Sequence, residues 1–294
     1  MKLFNKIAIS AVALSLLAGL ASCGGDTKTS TTPTTDPVTS TPTTDPVTST
    51  PVTDPVTSTP ITDPVTSTPV TDPVTSTEEN TSMEGSIADE VMTYAQYDAA
   101  ELDDEVVIQA YIQGKQSWWS NKGTFYLQDD NGGYFVYELG CTEDDYNNKL
   151  TIGTCVKVKG IKGAWAGQIE ILGSQAGAEA IWQTVKGQPK IYVAKEIEFT
   201  KEVMAAHANQ LVKFTGLEVV SVTPPTKDGG DIYFDVKKNE LTLTFCVESY
   251  LCDATTEVYQ TVLNLEAGEY VSLQGFMYTY NDPQLHTTSV SILN

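Results

Sequence analysis

The sequence predicts an all-β protein, β-rich with short helices, in which two small five-stranded barrels stand in tandem behind a disordered stalk. Three observations carry that expectation. Near residue 83 the chain changes from a Thr/Pro/Ser repeat to alternating aromatic and branched aliphatic residues. The phrase Leu-x-x-Gly-x-x-Val-x-Val-x-Gly occurs at Leu150, Gly153, Val156, Val158 and Gly160, and recurs at Leu265, Gly268, Val271, Leu273 and Gly275 with Leu for the second Val. In both copies a short helical segment interrupts the strands at the same place.

The elements follow in chain order. Lys2 and Lys6 precede an apolar run from Ile7 to Leu17, which suits a signal segment and is too short to span a bilayer. Leu20-Ala21-Ser22-Cys23 resembles the lipobox of bacterial lipoproteins. That resemblance implies removal of residues 1–22 and lipidation of Cys23, hence an exported protein held to a bacterial membrane at the cell surface. An ordinary signal peptide with an accidental cysteine is the plainer alternative. Two or three acyl chains, each methylene contributing about 0.8 kcal/mol, anchor stably.

Residues 23–83 read as a stalk. Asp36, Asp45, Asp54, Asp63 and Asp72 each open the phrase Asp-Pro-Val-Thr-Ser-Thr, a period of nine. With almost no aromatic or large aliphatic side chain, such a segment buries too little surface to offset its chain entropy. Its prolines favour an extended polyproline-II-like chain, reaching at most on the order of 150 Å. A spacer and a linker without a partner of its own are the two readings.

The first module, residues 84–185, opens with Thr93 and Gln96 as a capping box for a short helix through Ala100. A β-rich run from Glu105 to Lys115 follows. A hairpin comes next, 124–129 and 133–139, around Asn131-Gly132. A short helix is expected over 143–149, then the Leu-x-x-Gly strand, then a strand over 168–172. The second module, residues 186–294, repeats the plan. Thr200 caps a helix through Ala208, a strand covers 211–222, and a hairpin of 231–236 and 241–247 turns at Lys238-Asn239. A helix over 255–263 takes Asp253 or Thr255 as cap, and the last strand covers 287–293.

Strand, strand, strand, helix, strand, strand is the order of an OB-fold, a five-stranded Greek-key barrel. A pair of β-sandwiches is the alternative, against which the inserted helices argue. The segments Gly133-Tyr134-Phe135-Val136-Tyr137 and Val247-Glu248-Ser249-Tyr250-Leu251-Cys252, with the paired Leu-x-x-Gly strands, resemble tandem OB-like modules of bacterial secreted proteins and lipoproteins. The resemblance implies a fold and no established activity.

OB-folds commonly bind through the loop between strands one and two and the loop between strands four and five. Trp118 and Trp119 fall in the first of these loops and Trp165 in the second, among Gly and Ser. The second module offers Pro224-Pro225 and, more weakly, Tyr278 and Tyr280. Flat aromatic faces suit stacking on sugar rings or bases. The competing reading has the tryptophans plugging the end of a barrel or packing on the second module. Trp182, in the connection between modules, is expected to seal their junction.

The formal charge is −21, and all 17 basic residues are lysine. Nucleic-acid binding draws on basic stripes and favours arginine, so charge alone speaks against that partner. Lys157, Lys159 and Lys162 read as a solvated strand face. Asp129-Asp130-Asn131-Gly132 lacks the further ligands of a calcium loop and reads as a turn. Cys141, Cys155, Cys246 and Cys252 read as free half-buried thiols, although export would permit pairing. His207 and His286 stand in no recognisable catalytic motif, and no metal or cofactor is expected. The sequence therefore points to a non-catalytic lipoprotein that binds an oligosaccharide or a partner protein. Trp118, Trp119, Trp165, Tyr278 and Tyr280 are the candidate contacts. Nucleic-acid capture and a structural or adhesive envelope role are the alternatives.

Overall fold

The computed structural model describes residues 82–175 and 178–293; the expected signal peptide, Cys23 and the repeat stalk lie outside them. No helix among the described residues is long and apolar enough to cross a membrane.

The first module contains α1 (Tyr94–Ala99), β1 (Glu105–Lys115), β2 (Lys122–Gln128), β3 (Gly133–Gly140), β4 (Cys155–Trp165) and β5 (Gln168–Leu172). Two-residue strands β6 (Ser174–Gln175) and β7 (Ala178–Glu179) follow, then β8 (Ile181–Thr184). The second module contains β9 (Lys195–Glu196), α2 (Lys201–Ala205), β10 (Leu211–Thr223), β11 (Ile232–Lys238), β12 (Leu241–Val247), α3 (Glu257–Leu263), β13 (Tyr270–Tyr280) and β14 (Asp282–Leu293).

Both modules are five-stranded OB-fold-like barrels with the same connectivity. The first runs β1-β2-β3-β5-β4 and closes through β1–β4; the second runs β10-β11-β12-β14-β13 and closes through β10–β13. In each, the third and fifth strands meet in parallel and the other pairs of the barrel are antiparallel. Strand β8 adds to the outside of β4, and β9 to that of β10. The repeated glycine before the fourth strand has the same role twice: Gly153 and Gly268 adopt φ of 86° and 92°, a left-handed turn that a side chain would strain.

Each barrel has its own core. Ile108, Val136, Leu150 and Val158 pack inside the first, and Phe214, Phe234, Phe245 and Leu273 inside the second. Thr93 and Gln96 form the expected capping box, and the Thr200 hydroxyl accepts from the Val203 N–H.

Four local expectations are corrected. Trp182 does not seal a junction. It lies on β8, fully buried in the first core, and its indole N–H donates to the Gly140 carbonyl at 3.0 Å. Lys162 is not on a solvated face. Its ammonium is buried at the C-terminal end of α1 and donates to the carbonyls of Tyr97, Asp98 and Ala100 at 2.8–2.9 Å. The last carbonyls of a helix lack a full set of partners within it, and a cation there also suits the helix dipole. The short helix expected over 143–149 is present, but from Asp145 to Lys149 it is π-type rather than α, closed by Leu150 N–H to the Asp145 carbonyl. In the second barrel Thr256, one residue beyond the expected cap, caps α3, while Asp253 is occupied by the Thr255 N–H and hydroxyl.

Cys141, Cys155, Cys246 and Cys252 are free and buried rather than half-buried: Cys141 and Cys252 pack into the two cores, and Cys246 lies on β12 beside the other barrel. The barrels are joined by a third apolar cluster, Tyr126 and Phe135 from the first with Phe276 and Tyr278 from the second. Tyr126 and Phe276 stack with centroids 4.3 Å apart. Around this cluster run hydrogen bonds from one barrel to the other. Asn281 N–H donates to Ala166 O at 2.7 Å, Thr279 N–H to Gln168 Oε1 at 3.0 Å, and Leu211 N–H to Gln128 Oε1 at 2.9 Å. The backbones approach closely at Gly133, where an added Cβ would lie 2.4 Å from the Asn209 carbonyl carbon.

A candidate ligand trough between the barrels

Beside that cluster the two barrels leave an open trough of about 410 Å³. The first barrel contributes β2, β3 and the tips after β1 and β4; the second contributes β11, the end of β12 and the turn between β13 and β14. Eight of its lining residues are Trp, Tyr or Phe and three are carboxylates, with no lysine among them. A second cavity of about 380 Å³ along β12 shares Tyr233, Tyr280 and Gln284 with it, so the groove continues across the second barrel.

Three of the exposed aromatics, Trp119, Trp165 and Tyr280, are presented by one local device. Trp119 precedes Ser120 and Asn121, at φ 49° and 60°; Trp165 precedes Ala166 and Gly167, at 49° and 90°; Tyr280 precedes Asn281, at 62°. Left-handed residues make the tight turns that reverse a twisted hairpin, so each ring sits at a hairpin tip. There it has few neighbours: Trp119 and Trp165 remain 55% and 56% exposed. Trp165 and Tyr280, from opposite barrels, lie with centroids 5.3 Å apart.

Of the five candidate contacts, the fold brings Trp119, Trp165, Tyr278 and Tyr280 to the trough. Trp118 goes elsewhere. It packs half-buried against the first core and donates from its indole nitrogen to the Cys141 carbonyl at 3.0 Å. Tyr278 and Tyr280 stand at the end of β13 rather than in a loop, and Pro224-Pro225 do not line the trough.

The trough also gathers residues that sequence reasoning passed over. Tyr250 and Tyr137 add aromatic surface. Asp231 Oδ1 is held by the Ser249 N–H and hydroxyl at 2.9 and 2.7 Å. Glu138 has φ of 54°, a strained value for a glutamate, and takes an ion pair from Lys122 at 3.0 Å. Glu248 is only 9% exposed. Its Oε1 accepts from the Tyr250 N–H at 3.1 Å, while Oε2 is buried without a partner among the described residues. Burial, with Asp231 nearby, pushes its carboxyl up to about 7. Burial and Glu138 do the same to Glu170 on β5, also to about 7.

His286 forms part of the floor. Its Nδ1 lies 2.6 Å from the Tyr126 hydroxyl, and its ring stacks on Tyr278 at 4.1 Å. Burial depresses its pKa to about 3, so the imidazole is neutral at physiological pH. Burial also raises the Cys246 thiol, which leaves no thiolate to act as a nucleophile there. The arrangement can stack flat rings and accept hydrogen bonds from hydroxyl or amino groups.

No family model matches the chain, and no curated protein matches it. Solved structures match the chain at low similarity. One is the HINb domain of p204, at 12% identity and TM-score 0.30, covering 63% of this chain and 95% of that one. A murine DNA-binding protein bound with double-stranded DNA gives 11% and 0.33, covering 65% and 99%. A replication protein A heterotrimer bound to single-stranded DNA gives 11% and 0.27, covering 67% and 51%. The expectation that set nucleic acid aside on net charge and missing arginine is not upheld: proteins described as bound to DNA stand among these matches. The physical reason is that total charge is a sum over the whole chain, whereas counterion release depends on the charges along the bound strand.

Proposed function

We propose that the chain is a non-catalytic binding protein whose ligand lies in the inter-barrel trough, stacked on Trp119, Trp165 and the neighbouring tyrosines. The observation that carries this reading is the convergence of exposed aromatic rings from both barrels on one acidic groove. An oligosaccharide fits that chemistry. Sugar rings stack on indole and phenol faces, and their hydroxyls donate to carboxylate and amide oxygens such as those of Asp231 and Gln284. The groove's continuation along β12 suits a chain of several rings. In this reading Cys23 tethers the protein to a bacterial membrane and the repeat stalk holds the barrels away from it.

Single-stranded nucleic acid is the second reading, favoured by the row of stacking faces on OB-fold-like barrels, a combination that accepts any base. A glycan array and a set of single-stranded oligonucleotides, each probed with the intact protein and with Trp119→Ala/Trp165→Ala, separate the two. Glycan binding lost in the double variant supports the first. Oligonucleotide binding that weakens steeply between roughly 50 and 200 mM salt supports the second. Retention of all binding by the double variant overturns the trough as the site.

A further inference from the structure

We infer that the ligand of this trough carries a positive charge, an ammonium group seated among the aromatic rings with Glu248 as its counter-ion. The inference rests on the oligosaccharide reading and narrows it to a glycan bearing a cationic amino sugar.

Three observations lead there. First, the acidic lining is not balanced from within. Glu138 has Lys122 and Asp231 has Ser249, but Glu248 Oε2 is buried without a partner among the described residues. A buried carboxylate with nothing to compensate it is costly, and an arriving cation removes that cost. Second, the surrounding surface suits a cation. Aromatic faces attract ammonium groups, more strongly where water is partly excluded. Tyr250, Tyr278, Tyr280 and Tyr233 line the same trough as Glu248. Third, the chain itself places a cation at the rim in this way. The Lys122 ammonium lies 5.7 Å from the centre of the Trp119 ring while it pairs with Glu138.

The inference makes binding depend on pH through Glu248. Asp231 faces it from the start of β11, Tyr126 from β2, Tyr278 from β13 and Cys246 and Cys252 from its own stretch of chain. His286 and Tyr233 share the trough with it. The tyrosines and thiols are held protonated by burial, and His286 is held neutral. Near neutrality Glu248 is therefore the group in this set that changes charge, and a bound cation favours its ionised form.

The test compares two glucosamine tetramers on the full-length protein by calorimetry. In one the amines are trimethylated, so that their charge does not titrate; in the other they are acetylated and neutral. The expected result is at least tenfold tighter binding of the cationic tetramer. That preference grows from pH 6 to pH 8 and falls to less than threefold in Glu248→Gln. Equal affinity for both tetramers overturns the inference and leaves the glycan reading standing. If neither tetramer binds, the glycan reading fails, and tetramethylammonium decides the cation separately. A tryptophan fluorescence change that saturates in the wild type and is lost in Glu248→Gln upholds it, and no change overturns it. Should Glu248→Gln fail to fold, Glu248→Asp serves: the inference requires partial loss of the preference, and an unaltered preference overturns it.

Discussion

The Tyr126 hydroxyl, on the first barrel, lies 2.6 Å from Nδ1 of His286 on the second. Both groups are buried and neutral, and one hydrogen bond joins them. This bond adds a buried polar fastening to the joint, beside the stacked pair of Tyr126 and Phe276. A buried donor and acceptor must find each other or lose their hydration without return, so the bond fixes the mutual register of the barrels. Tyr126→Phe is expected to cost about 1–3 kcal/mol. Urea denaturation, monitored by tryptophan fluorescence, checks it.

The joint is also defended by backbone proximity. A methyl group at residue 133 would lie 2.4 Å from the Asn209 carbonyl carbon, and backbone cannot step aside as a side chain can. Gly133→Ala is expected to part the barrels without emptying either core. Scanning calorimetry should then show two separate transitions where the parent shows one cooperative transition.

The four tryptophans should rank in stability effect by their burial. Trp182 is fully buried with its N–H satisfied, so Trp182→Ala is expected to cost about 3–5 kcal/mol. Trp119 and Trp165 are more than half exposed, and their replacement by alanine should change stability by no more than about 0.5 kcal/mol. Trp118, half-buried against the first core, should fall between. Thermal melts of the four single variants rank them, and a large loss for Trp165→Ala would refute that order.

Stability should respond to pH from two sides. Glu170 and Glu248 are raised from 4.5 to about 7 in the folded state. The native state therefore binds more protons than the unfolded state between those values. Their contribution is fully present below about 4.5 and is lost as pH rises through about 7. His286 is depressed from 6.5 to about 3, so its contribution is present above 6.5 and is lost as pH falls through about 3. Denaturation midpoints taken from pH 3 to pH 9 should show the upper decline shrink in Glu170→Gln/Glu248→Gln and the lower decline shrink in His286→Gln.

Much of the fold was legible because its signals are local. The Thr93–Gln96 capping box, the Asn131-Gly132 turn and the paired glycines at 153 and 268 each specify backbone geometry within a few residues. The site was legible only in part. Trp119, Trp165, Tyr278 and Tyr280 stood out as aromatics near turns, but adjacency in sequence could not separate Trp119 from Trp118, whose indole is bonded to Cys141. Glu248, Asp231 and His286 were invisible for another reason. Their meaning depends on the packing of one barrel against the other, which the repeat reveals to neither half. The phrase from Val247 to Cys252 holds the closest thing to a signal, a glutamate and a tyrosine just past a strand end. Lys162 and Trp182 were misplaced because their partners, the carbonyls of α1 and of Gly140, lie far away in sequence.

The bond from Asn281 to the Ala166 carbonyl ties together the turns that end corresponding strands of the two copies. Duplication alone would have yielded two interchangeable beads. Here each bead's tip completes the other's, and excising either would bare Tyr126 and Phe135 or Phe276 and Tyr278 to water. The pair must therefore be inherited together, and a recombinant carrying a single bead would be expected to cling to its own kind.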